Sequence, residues 1–134
     1  NRHLRLRADY ENFKRRTHLD REAAEKYKAQ NLLSNLLPVL DNFERAMQVE
    51  TVSEESQSLR KGLEMVYKTL VEATEREGLQ VIEANDVMFD PNLHQAVMTE
   101  TDDTKESGMV LQELQKGYKY KDRVLRPSMV KVNE

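Results

Sequence analysis

From Asn1 to about Val49 the chain holds no glycine and a single proline, and Leu, Ala, Glu, Lys, Arg and Gln dominate. These are the strongest helix formers, so one long helix is the regular element this segment favours. If continuous, at about 1.5 Å per residue, it would run roughly 70 Å, more than the diameter of a domain this size. Such a helix has to project from whatever else folds.

Its first half carries a thin apolar stripe: Leu6, Tyr10, Phe13, Thr17, Ala24 and Tyr27, at steps of three, four and seven, with Asp20 and Asn31 in the intervening seam positions. A stripe this thin does not hold a lone helix in water, so the segment is expected to pair with the same helix of a second copy. Acid-first pairs at i,i+4 (Glu11 with Arg15, Glu22 with Lys26, Asp41 with Arg45) support the outer face. The second half broadens into Leu32, Leu33, Leu36, Leu37, Val39, Leu40, Phe43, Ala46 and Met47, the pattern of a bundle core, with Pro38 inside it.

Ser53 is the expected N-cap of a second helix, with Glu54 and Glu55 in its first turn. Leu59, Leu63, Val66, Leu70 and Ala73 repeat at helical spacing as far as Gly78, which stands where a left-handed C-cap is wanted. Two copies of this helix pair make a four-helix bundle. Beyond Gly78 short β-branched and aromatic runs indicate strands over 79–83, 96–99, 108–116 and 124–132. The expected class is therefore α+β: a long helix and a second helix forming a dimeric four-helix bundle over 1–78, then a small β domain over 79–134.

The 134 residues are 38% hydrophobic and 34% charged, with no Trp, too polar for one well-filled core and consistent with an elongated or oligomeric form. A net charge of −3 leaves no domain-wide positive field for a phosphate backbone, so nucleic acid is not an expected partner. Without cysteine there is no disulfide, thiolate metal site or cysteine nucleophile, which suits a reducing cytoplasm. No apolar run approaches the roughly 18 residues of a membrane span.

Candidate chemistry is sparse. Asp90 and His94, in Phe89-Asp90-Pro91-Asn92-Leu93-His94, are an acid–base or ligand pair on paper, but no nucleophile, third ligand or glycine-rich phosphate loop accompanies them. A histidine beside a turn is read as a structural hydrogen-bonding group. Lys14-Arg15-Arg16, with Arg2, Arg5 and Arg7 upstream, is read as a solvated helix face offset by Asp9, Glu11, Asp20, Glu22 and Glu25. Gly62, in a helix interior where glycine costs about 1 kcal/mol relative to alanine, marks either a helix crossing within the bundle or the close approach of a partner. The six methionines are read as core fillers. No catalytic group, cofactor, metal or small-molecule substrate is expected.

Across essentially its whole length the chain resembles the GrpE family. The resemblance rests on residues 7–16 (Arg-Ala-Asp-Tyr-Glu-Asn-Phe-Lys-Arg-Arg), residues 36–46 (Leu-Leu-Pro-Val-Leu-Asp-Asn-Phe-Glu-Arg-Ala), residues 89–97 and residues 117–132. It implies a non-enzymatic parallel homodimer that binds the ATPase domain of a DnaK-type chaperone, opens its nucleotide cleft and lets ADP leave, with the paired helices as a possible thermosensor. Chaperone contacts are then expected at Phe89, Pro91, Arg123 and Val132, next at Arg45, Val49 and Gly62, and along the stalk at Lys14 and Arg15. Dimer contacts are expected at Leu6, Tyr10, Phe13, Thr17, Leu36, Leu40, Phe43, Leu63, Val66 and Leu70. The competing reading is a structural coiled-coil adaptor whose β domain binds some other protein.

Overall fold

The computed structural model describes residues 1–134 and is α+β. Helices α1 (Arg2–Lys26), α2 (Gln30–Met47) and α3 (Glu54–Arg76) precede six strands: β1 (Leu79–Val81), β2 (His94–Glu100), β3 (Val110–Gln115), β4 (Tyr118–Tyr120), β5 (Arg123–Arg126) and β6 (Ser128–Asn133). The chain forms two compact units, Asn1–Asn31 and Leu32–Glu134.

The expected single helix is instead two joined pieces, interrupted at residues 27–29, where the Tyr27 N–H still bonds the Ala23 carbonyl at 3.0 Å. Neither glycine nor proline marks the break, whereas Pro38 lies inside α2 without ending it. α1 buries none of its residues: Tyr10 and Phe13 of its apolar stripe are 60% and 64% exposed. No helix is long and apolar enough to cross a membrane.

In the second unit α2 turns Leu33, Leu37 and Leu40 inward. α3 begins and ends as its sequence prescribes. The Ser53 hydroxyl accepts the Ser56 N–H at 3.1 Å, and Gly78, just past the last turn, has φ +107°, a backbone setting that favours glycine. The two helices meet through Phe43 and Tyr67, with ring centroids 6.1 Å apart, and the Tyr67 hydroxyl donates to Glu44 at 2.6 Å. Asp41, expected to pair locally with Arg45, is instead bridged by Arg126, 85 residues away, and Arg45 donates to Asn42.

The strands form two three-stranded sheets, ordered β1-β4-β5 and β2-β6-β3. The first is antiparallel throughout; in the second, β6 runs parallel to β2 and antiparallel to β3. The strand expected over 124–132 is two strands in different sheets, because Pro127 has no N–H to give a ladder and the chain crosses between sheets there. The return crossing is at Gly117, between β3 and β4. A Cβ there would lie 2.3 Å from the Ser128 backbone nitrogen, so only glycine fits. In the first sheet Tyr118 and Tyr120 point inward with Lys119 between them; beside the second, Ala84, Val110 and Val130 form a small core to which Val87, Phe89 and Val132 add.

Candidate functional site

The turn before β2 builds itself from local hydrogen bonds. The Asp90 carboxylate accepts the Asn92 N–H at 2.9 Å, and the Asp90 carbonyl accepts the N–H groups of Leu93 at 3.0 Å and His94 at 2.8 Å. His94 closes the loop. Its Nδ1 accepts the Asp90 N–H at 3.0 Å, which leaves the ring proton on Nε2 to be donated to the Glu83 carbonyl at 2.8 Å. Both ring nitrogens of this buried histidine are therefore engaged by backbone, as a structural role requires. No group of His, Asp and Glu side chains is arranged to hold a metal ion.

This turn holds Pro91 outward, while Phe89 is half-buried: its N–H bonds the Gly108 carbonyl at 2.8 Å and its ring lies 6.0 Å from that of His94. Val132, on the central strand of the second sheet, is half-buried around the same small core. Phe89 and Val132 thus pack on the same small core, and Pro91 is exposed two residues beyond Phe89, whereas the exposed Arg123 opens β5 in the other sheet. A groove of about 370 Å³ runs between Val81, Val87, Met88, Leu93, His94 and Lys119. Met88 is half exposed there, and Met65 and Met98 are also largely on the surface, so within one copy these three methionines do not fill a core as the sequence suggested. Composition alone does not tell a buried methionine from a presented one.

Around the helices, Arg45 and Val49 are exposed, and the space beside Gly62 is open to 4 Å, so nothing within this chain makes the close approach that its glycine permits. Lys14 lies over the Tyr10 ring at 5.4 Å, and Arg15 is exposed. Of the seam residues further along, Leu40 is covered by its own chain, Leu36, Phe43, Leu63 and Leu70 are half-buried, and Val66 is 53% exposed. Met65, Val66, Thr69, Leu70 and Ala73 line an open, almost wholly apolar depression on α3.

Where α2 and α3 meet the first sheet, burial sets the electrostatics. The Tyr67 and Tyr118 phenols are both pushed well above their ordinary range, first by burial and then by Glu44 nearby. Glu113 is raised by burial, against the pull of Lys116, and Arg126 is held charged by its hydrogen bonds to Asp41.

These features define a class: an α+β protein whose helices leave apolar faces open and whose small β region carries one self-organised turn. Residues 1–134 match the GrpE family from end to end, and the chain belongs to that family. It is 71% identical over 134 residues to Protein GrpE of Lysinibacillus sphaericus, covering all of this chain and 68% of that one. It is 60% identical over 131 residues to Protein GrpE of Bacillus anthracis, covering 98% of this chain and 70% of that one. Protein GrpE of Bacillus cereus strain AH820 is similar to the same extent.

Proposed function

We propose that this chain is a cytoplasmic nucleotide-exchange factor that binds the ATPase domain of a DnaK-type chaperone as a homodimer and accelerates ADP release. The observation that carries this reading is membership of the GrpE family along the entire chain. Dimerisation is supported by apolar surface that a single copy leaves open, on α1 at Leu6, Tyr10 and Phe13 and on α3 at Met65 and Val66. Residues 1–78 then pair with a second copy through the stalk and a four-helix bundle, and residues 79–134 act as the β domain that meets the chaperone. Arg123 supplies an oriented charge, and Pro91, with Phe89 and Val132 behind it, supplies apolar contact. Arg45, Val49 and Gly62 flank this contact, and Lys14 and Arg15 extend it along the stalk.

No catalytic group is required. A protein that binds the open cleft more tightly than the closed one shifts the population toward open, by an amount set by that difference in affinity. Linkage makes the effect reciprocal: by whatever factor this protein weakens nucleotide binding, nucleotide weakens its own binding. The polar seam positions Asp20 and Asn31 weaken the paired stalk, which suits reversible melting on heating as a thermal brake. Sedimentation of the chain with a nucleotide-free ATPase domain tests the reading. The expected species has the mass of two chains and one ATPase domain and dissociates on addition of ATP; a complex indifferent to ATP would favour the adaptor.

A further inference from the structure

Arg126 spends its whole guanidinium on joining the first sheet to the helices. Nη1 and Nη2 donate to the two oxygens of Asp41 on α2 at 2.7 and 2.6 Å, and Nε donates to the Lys116 carbonyl at 2.8 Å. Its charged plane lies 5.4 Å from the centre of the Tyr118 ring on β4. A second link runs alongside: Lys116 pairs with Glu44 at 2.9 Å, and Glu44 also accepts the hydroxyl of Tyr67 on α3. Two helices and two strands thus converge on one polar knot in which Asp41 and Arg126 are only 17% and 21% exposed.

The knot sits at a mechanically sensitive place. β5 has four residues and is an edge strand, paired only with β4. Arg123 opens it and Arg126 closes it, so the strand that presents Arg123 is anchored to α2 at its far end. A bidentate guanidinium–carboxylate bridge fixes direction as well as distance, which a single contact to an ammonium does not.

Resting on the exchange-factor reading, we infer that Arg126 is a positioning residue: by clamping β5 to Asp41 of α2 it fixes the direction in which the β1-β4-β5 sheet presents Arg123, so that the sheet does not follow the ATPase lobe as the cleft closes. The consequence follows from differential binding. A rigidly held sheet fits the open cleft and misfits the closed one, whereas a sheet free to rock gives up its preorganised fit to the open cleft while gaining little on the closed one, and so loses its leverage even with its contact residues intact. Loosening the knot therefore reduces the difference between the two affinities rather than lowering both.

The test uses the full chain and compares wild type with Arg126→Lys, which keeps the charge but not the fork, and with Asp41→Asn, which keeps the shape but not the charge. Affinities for the nucleotide-free and the ADP-bound ATPase domain are measured together with the ADP release rate at saturating exchange factor. Both variants are expected to lower the affinity ratio and the saturating rate about tenfold, with affinity for the ADP-bound form changed less than twofold. A wild-type ratio and rate in both variants, or an equal fall in both affinities, would overturn the inference. Failure of the wild type itself to accelerate release would instead sink the exchange-factor reading on which it rests.

Discussion

Gly117 carries one of the tightest constraints in the chain. With the Ser128 nitrogen 2.3 Å and the Pro127 carbonyl carbon 2.6 Å from the Cβ that any other residue would add, both obstacles are backbone and neither can swing aside. Gly117→Ala is expected to cost about 3 kcal/mol, the upper end of overpacking penalties, read as a fall in the chemical-denaturation midpoint. A midpoint within experimental error of wild type would contradict the crossing geometry. At this scale the sequence was informative where chemistry is local. Ser53, Gly78 and the turn-side hydrogen bond of His94 were legible, because each is decided by residues within four positions, whereas the second bond of His94, to the Glu83 carbonyl eleven residues back, was not. Asp41 was not: its near neighbour Arg45 offered the expected i,i+4 pair, while its true partner Arg126 is brought up by the fold from 85 residues away. The half-burial of Phe89 and Val132 was hidden for the same reason, since an apolar side chain in a motif looks alike whether it faces a partner or a small core.

Among the elements, α3 and the division into helices followed by strands were legible from apolar spacing and caps, whereas strand boundaries were not. An apolar run through Val124, Leu125, Met129, Val130 and Val132 reads as one strand, and only the sheet order reveals that Pro127 sends its halves to different sheets. The helix break at residues 27–29 left no glycine or proline to announce it. Strand β3 also makes a pH-dependent contribution. Burial raises the Glu113 carboxyl above the ordinary carboxylate range, so the folded state holds that proton more tightly than the unfolded chain does. Ionisation therefore costs stability at neutral pH, and the cost fades as pH falls through the raised folded-state value to below the ordinary carboxylate range. Glu113→Gln is expected to raise Tm at pH 7 and to lose that advantage by about pH 4. A gain that does not change with pH, or a loss at pH 7, would show that the side chain matters for some other reason.

For the molecule as a whole, stability and activity are expected to be shared between copies. α1 buries nothing on its own, and Met65 and Val66 lie open on α3, the surface that a second copy would cover in the proposed dimer. The exposure of α1 was legible early, because a thin, polar-interrupted stripe offers little to bury. The ion pair between Arg126 and Asp41 was not, since only the folded unit brings the two together. In the proposed function this chain speeds nucleotide release through its β domain. Stopped-flow release of a fluorescent ADP analogue from a DnaK-type chaperone, alone, with wild type and with Arg123→Ala, tests it directly. Strong acceleration by the wild type and a substantially weaker effect of the variant are expected; no acceleration by the wild type with its cognate chaperone would contradict the exchange-factor reading.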